Sequence, residues 1–225
     1  MFTKRMLWVL AVVAVGMVCW AGAAQAAIIK VDNNDAGAAP DATWNTIAAP
    51  GSGISVVDSL GNDDGVTVTY SGWTDSSFSG VEGAYDGGVF DNAADDYFFG
   101  KDTKTVTISG LLDSETYTIQ LCGSTNNTGS VLSDFKVNGS FGDGVSPLNG
   151  DDFDVRGDGY DAGKIMTYSG VSPSSGNIVI TSTYISGQNG YFDAFTIEGN
   201  FVPEPATMAL LGLGGLGVLL GRKRR

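Results

Sequence analysis

Apolar and polar side chains alternate over short stretches throughout residues 27–201. In runs such as Val66-Thr-Val-Thr-Tyr70 and Tyr117-Thr-Ile-Gln-Leu121 every second side chain is bulky and apolar, which is the period of a half-buried β-strand. Gly, Asn, Asp or Ser bound about nine runs of this kind, at residues 28–31, 54–57, 66–70, 106–108, 117–121, 135–137, 165–168, 178–181 and 195–197. Apolar residues do not recur at helical spacing here, so the pattern predicts an all-β fold, an antiparallel β-sandwich.

Two segments of this body, residues 71–96 and 140–163, show no alternation and are rich in Gly and Asp. Both are long enough to be loops with a function of their own.

The N-terminal residues 1–26 have the pattern of a secretory signal peptide. Lys4 and Arg5 precede an apolar stretch at residues 7–18, and Ala24-Gln25-Ala26 has the small residues of a cleavage site. Cleavage there would make Ala27 the mature N-terminus, and residues 27–201 the folded domain.

The C-terminal residues 202–225 combine three features. The residues Pro203, Glu204 and Pro205 interrupt any preceding strand. An uncharged apolar run follows at residues 206–220, shorter than the ~20 residues that span a bilayer comfortably, and predicts a hydrophobic helix. The chain ends in a basic cluster, which favours the cytoplasmic side of a membrane: Arg222, Lys223, Arg224 and Arg225.

These three features in this order resemble the PEP-CTERM sorting tail of Gram-negative bacteria. The resemblance implies transient membrane insertion of the tail and processing by a membrane-embedded exosortase. It also implies export of the body to the cell envelope or an extracellular matrix. An ordinary C-terminal membrane anchor is the alternative, and such an anchor is usually longer and contains less glycine.

The order of strands in the body resembles the galactose-binding-like jelly roll of many carbohydrate-binding modules. The resemblance rests on a strand, a Gly-Leu turn and a strand at 106–121, followed by strands at 135–139, 176–180 and 190–198. It implies that the last strand returns beside the first, and it specifies a fold better than a ligand.

The amino-acid composition excludes several classes of function. Outside the two terminal signals, six Lys and Arg stand against 24 Asp and Glu, a formal net charge of −18. A surface that acidic repels phosphate backbones and excludes nucleic-acid binding. Histidine is absent, which removes Ser-His-Asp and Cys-His catalytic pairs. Cys122 is the only cysteine after Ala27, so the domain has no internal disulfide, and its position predicts a buried residue on a strand.

Carboxylates and aromatic residues supply two candidate sites. Hard oxygen ligands suit a structural Ca²⁺ ion, with the candidates Asp151, Asp152, Asp154, Asp158 and Asp161, although Arg156 and Ile165 stand where an EF-hand needs ligands. Solvated Asp/Gly turns are the alternative. Aromatic rings can stack on sugars, with the candidates Trp73, Tyr85, Tyr97 and Tyr160. Trp44 fits a core or rim position better.

The sequence as a whole predicts an exported, non-catalytic protein of the envelope or matrix that binds carbohydrate or exopolysaccharide weakly. A secreted polysaccharide hydrolase is one alternative, because glycoside hydrolysis needs only two carboxylates. A structural surface protein without a small ligand is the other.

Overall fold

All nine alternating runs lie in or overlap strands of the computed structural model. The structure describes residues 26–33, 41–77, 90, 93, 97–123, 132–140, 153–154, 165–186 and 189–201. Within these ranges the chain forms fourteen strands and no helix: β1 (Ala27–Asp32), β2 (Trp44–Thr46), β3 (Ile54–Ser55), β4 (Thr67–Ser71), β5 (Asp75–Ser77), β6 (Tyr97–Gly100), β7 (Lys104–Ser109), β8 (Tyr117–Cys122), β9 (Leu132–Val137), β10 (Phe153–Asp154), β11 (Met166–Val171), β12 (Asn177–Ser186), β13 (Gly190–Phe192) and β14 (Ala194–Gly199).

Two sheets form the sandwich. The first has the order β11-β8-β14-β1-β2 and the second β10-β9-β12-β7-β4-β3. Strand β14 pairs antiparallel with β1, from Ala27 opposite Gly199 to Asp32 opposite Ala194, so the predicted return of the last strand beside the first is confirmed. The short strand β2 departs from the antiparallel prediction, because it runs parallel to β1.

The alternation of the sequence decides which side chains fill the space between the sheets. In β7 the side chains of Lys104, Val106 and Ile108 are buried while the residues between them are partly exposed. Tyr117 and Phe195 also point inward and are 1% and 0% exposed. Cys122 is fully buried on β8, as predicted. The apolar faces of both sheets therefore form one core, as a sandwich requires.

Four short strands were not predicted, β2, β5, β6 and β10, and the single strand expected at 190–198 is divided into β13 and β14. Strands β2, β5, β6, β10 and β13 are each two to four residues long, which is too short to show a clear alternation. Strands β5 and β10 fall inside the segments 71–96 and 140–163, which were expected to be loops.

Three of these short strands form a third sheet, in the order β13-β6-β5. Its aromatic residues pack on one another, with the Tyr97 and Tyr191 ring centroids 4.6 Å apart and edge to face. The third sheet meets the second at Lys104, whose ammonium nitrogen donates a hydrogen bond to the Gly100 carbonyl at the end of β6.

One turn of the second sheet requires glycine. Gly110, directly after β7, has a φ of 90°, and a Cβ atom there would lie 2.4 Å from the Gly65 carbonyl oxygen. Both the left-handed backbone and the close approach exclude a larger residue.

Residues Ala27–Phe201 form a compact unit by themselves. The two terminal signals, including the predicted C-terminal helix, lie outside the described residues. Within the described part of the chain, no helix has the length and apolar character needed to cross a membrane.

Candidate functional site

A surface pocket lies where the turn after β9 faces an irregular part of β11. Its volume is about 270 Å³, and it is lined by residues 137, 138, 140 and 168–172. The pairing of β11 with β8 shifts register between Tyr168 and Val171, and Gly170 in this bulge has a φ of 67°. A bulge bends its strand and redirects side chains, which opens the space for the pocket.

Asn138 fixes the opposite wall of the pocket. Its φ of 48° is the left-handed conformation that Asn tolerates better than most residues. The Asn138 side chain donates to the Ser172 carbonyl at 3.0 Å and accepts from the Val179 backbone N–H at 2.9 Å. The side chain thereby ties the turn to both β12 and the segment after β11, so the pocket is preformed.

Tyr168 forms the floor of the pocket and is 4% exposed. Its hydroxyl donates to the Phe135 carbonyl at 2.9 Å. Burial, together with the negative charge of Asp134, raises the pKa of Tyr168 far above its ordinary value. The phenol therefore stays protonated and engaged, and it cannot serve as an acid or base near neutral pH.

The described residues at the rim of the pocket are polar and uncharged. Ser140, Ser169 and Ser172 are exposed, so their hydroxyls can each donate and accept hydrogen bonds. Among the described residues that line the pocket, none carries a carboxylate, an amine or a thiol. This arrangement can bind a neutral, hydroxyl-rich ligand, whereas acid–base chemistry would need other groups. The sequence analysis did not single out these serines, because exposed serines recur throughout the chain.

The aromatic residue Trp73, expected to stack on a sugar, packs in the core and is 9% exposed. Its indole N–H donates to the Thr105 carbonyl at 3.1 Å. Its ring stacks on Phe192 with centroids 5.6 Å apart, and the Lys104 ammonium lies 5.2 Å from its centroid. A sugar could stack on Trp73 only if the ring left these contacts.

Tyr97 is likewise buried, at 3% exposure, against Tyr191. The other two aromatic candidates, Tyr85 and Tyr160, lie outside the described residues. Trp44 is 8% exposed and packs against Phe90 with centroids 6.0 Å apart, in agreement with a core or rim position.

The candidate calcium ligands cannot be placed as a site. Asp151, Asp152, Asp158 and Asp161 lie outside the described residues, and of Asp154 only the backbone is described, in β10. Within the described ranges no group of three metal-ligating side chains is found. Calcium binding by the acidic segment therefore stays a prediction.

Lys104 is a functional candidate that the sequence analysis missed. Its side chain is 0% exposed, and its ammonium donates to the carbonyls of Gly100 at 2.9 Å and Asp102 at 3.1 Å. Burial lowers the pKa of Lys104 to about 8, and the nearby charge of Asp102 offsets part of that effect. The signal was present, because Lys104 continues the alternation of Val106 and Ile108 toward the core.

Comparisons with known proteins identify the C-terminal segment. Residues 201–225 match the PEP-CTERM protein-sorting motif. The match confirms the resemblance based on Pro203, Glu204 and Pro205 and marks the chain as an exported protein sorted to the cell envelope. No curated protein matches the chain.

Among solved structures, the body is similar to a family 35 carbohydrate-binding module from Clostridium thermocellum. The two are 15% identical, and the match covers 58% of this chain and 90% of that one, with a TM-score of 0.34. A similarity this distant says nothing about the ligand of the present chain.

The lowered pKa of Lys104 predicts a rise in stability at moderately alkaline pH. The pKa is about 8 in the folded protein and 10.5 ordinarily, so between these values the unfolded chain binds more protons than the folded one. The free energy of unfolding should therefore increase from pH 8 toward pH 10. Urea unfolding of the exported protein at several pH values across this range measures the free energy of unfolding.

Above pH 10 the buried tyrosines act in the opposite direction. Burial raises the pKa values of Tyr70, Tyr117 and Tyr168, so their contribution to stability is lost as the pH rises past their ordinary pKa.

Lys104→Met should remove the rise in stability between pH 8 and 10, and Lys101→Met, at an exposed lysine, should retain it. An unchanged rise in Lys104→Met would contradict the assignment.

Proposed function

We propose that this protein is an exported, non-catalytic component of the cell envelope or extracellular matrix that binds a neutral exopolysaccharide weakly through the pocket at residues 137, 138, 140 and 168–172. The observation that carries the proposal is the uncharged, hydroxyl-bearing rim of this preformed pocket. The PEP-CTERM motif at residues 201–225 supports export and, through the family resemblance, processing by an exosortase.

The size of the pocket suits one sugar unit of a longer chain. Its volume of about 270 Å³ lies near the lower end of small-ligand sites, which hold roughly 300–1,000 Å³. A polysaccharide can extend beyond such a pocket, whereas a large apolar ligand would find too little space.

The chemistry of the rim favours a neutral glycan and a low affinity. Serine hydroxyls and backbone groups pair with sugar hydroxyls, but each such bond contributes only about 0.5–1.5 kcal/mol net. No aromatic platform adds to them among the described lining residues, apart from the engaged Tyr168. An affinity near 1 mM, about −4.1 kcal/mol, is what this lining supports, and the acidic surface disfavours an anionic polysaccharide.

Binding is favoured over hydrolysis because a glycosidase places two carboxylates beside the scissile bond. The described residues that line the pocket contain no carboxylate. A hydrolase would need carboxylates beyond these described lining residues, and a structural protein would need no binding site at all.

Removing the hydroxyls of the rim should weaken glycan binding at least tenfold. The variant carries Ser140→Ala, Ser169→Ala and Ser172→Ala, and the loss of two or three hydrogen bonds at about 1 kcal/mol each exceeds the 1.4 kcal/mol that equals a factor of ten. A panel of neutral polysaccharides, followed by titration with the best binder, measures it.

A matched control variant carries Ser52→Ala, Ser55→Ala and Ser114→Ala, three exposed serines outside the pocket, and should bind as the unmodified protein does. Equal losses of glycan affinity in both variants would show that the binding site lies elsewhere on the protein. If no polysaccharide of the panel binds, the structural alternative replaces this proposal, and release of reducing sugars from the panel would favour the hydrolase.

Processing of the tail is tested separately. Mass spectrometry of the exported protein should find an N-terminus at Ala27 and no peptide from residues 210–225. Replacing Pro203, Glu204 and Pro205 together by alanine should leave the protein in the membrane fraction with its tail intact. Recovery of the complete basic tail on the exported, unmodified protein would contradict processing.

A further inference from the structure

The buried ammonium of Lys104 lacks a counter-charge among the residues that the structure describes. Its two hydrogen bonds go to backbone carbonyls, and a lysine ammonium has three N–H donors. No described carboxylate lies within ion-pair distance of it, and Asp102 interacts with it only as an exposed charge farther away. Buried charges in proteins are normally paired, so this ammonium calls for an explanation.

Two serine hydroxyls lie on the same face of the second sheet as Lys104. Ser182 is directly opposite Lys104 in the pairing of β12 with β7 and directly opposite Phe135 in the pairing with β9. Ser133 precedes Phe135 by two residues and shares its face. Ser133 and Ser182 are 0% and 1% exposed, and neither hydroxyl has a hydrogen-bond partner among the described residues. Buried hydroxyls without partners point to an ion or water between them.

Gly190 of β13 packs directly against two of these groups. A Cβ atom on Gly190 would lie 2.6 Å from the Lys104 ammonium nitrogen and 2.9 Å from the Ser133 hydroxyl oxygen. The ammonium and the hydroxyl are therefore close enough for one small ion to contact both. Any larger residue at position 190 would press against the two groups.

We propose that Lys104, Ser133 and Ser182 bind one halide-sized anion, with chloride as the occupant. The ammonium supplies the positive charge and its third N–H, and each hydroxyl can rotate its proton toward the anion. A water molecule would satisfy the hydroxyls but would leave the charge uncompensated. The site is closed to larger anions, because all three side chains are buried.

The acidic surface does not prevent this binding. Charges on the surface that are more than about 10 Å away are largely screened at ordinary ionic strength, whereas the ammonium is in direct contact with the anion in a desolvated environment, where the attraction is strongest.

Bromide replaces chloride and can be located by its anomalous scattering. We expect crystals of the exported protein soaked in sodium bromide to show one buried anomalous peak in contact with the Lys104 ammonium and with the hydroxyls of Ser133 and Ser182. An empty site, a water without anomalous signal, or peaks confined to the surface (an adventitious ion only) would overturn the proposal.

Thermal unfolding tests the same site in solution. The melting temperature should rise with the concentration of sodium chloride or bromide beyond its rise in sodium gluconate at matched ionic strength, because only the small anions fit. Ser133→Ala with Ser182→Ala should weaken the halide dependence at least tenfold in concentration. These substitutions remove only hydroxyls, so the variant should fold, and Ser52→Ala with Ser55→Ala, at two exposed serines, is the matched control. Identical melting in the three salts would contradict the proposal, as would an unchanged halide dependence in the Ser133/Ser182 variant.

Discussion

The packing of Phe192 is the contact on which the rest of the described structure depends. This side chain of β13 is fully buried, and its ring centroid lies 5.6 Å from Trp73, 5.7 Å from Phe135 and 5.9 Å from Phe195. Phe135 belongs to the second sheet and Phe195 to the first, so one ring from the third sheet contacts both layers of the sandwich. Such aromatic pairs contribute about 0.5–1.5 kcal/mol each beyond the burial of their area.

The backbone around Phe192 is fixed by polar contacts as well as by packing. The Asn33 side chain donates to the Phe192 carbonyl at 3.2 Å and accepts from the Tyr70 hydroxyl at 2.5 Å. These hydrogen bonds join the end of β1 to β4 and β13. In a domain whose single cysteine excludes an internal disulfide, stability has to come from this packing and from satisfied buried polar groups. Trp73 stacks on Phe192, and the Lys104 ammonium lies over the Trp73 ring, so neither side chain is available at the surface.

The long alternating strands could be predicted from the sequence because burial of one face leaves a period of two. Val106-Thr-Ile108 and Tyr117-Thr-Ile-Gln-Leu121 are examples, whereas the pairing of β14 with β1 was expected only from the resemblance to the galactose-binding-like jelly roll. The third sheet could not be predicted, because Tyr97-Phe-Phe-Gly100 and Gly190-Tyr-Phe192 are short and almost entirely buried, so they show no alternation. Trp73 is buried because it packs against this sheet. Since the sheet was not predicted, an aromatic residue in a Gly- and Asp-rich segment was expected at the surface.

The two sites built from polar groups could likewise be predicted only in part. Lys104 lies in phase with Val106 and Ile108, so its inward direction was readable, but its neighbours Ser133 and Gly190 come from strands far apart in sequence. The pocket depends on Asn138 and on the bulge at Gly170, and the backbone conformation of neither leaves a signal in the pattern of apolar residues. Tertiary contacts define both sites.

Native-state hydrogen exchange on the exported protein tests most directly whether Phe192 couples the three sheets into one cooperative unit. If it does, the amides of Tyr191 in the third sheet, Val106 in the second and Ile197 in the first should exchange through one opening reaction, with the same free energy and the same dependence on denaturant. Phe192→Leu should lower that free energy equally at all three amides. Exchange of Tyr191 at a free energy several kcal/mol below that of Val106 and Ile197 would show that the third sheet opens independently, and it would contradict this account.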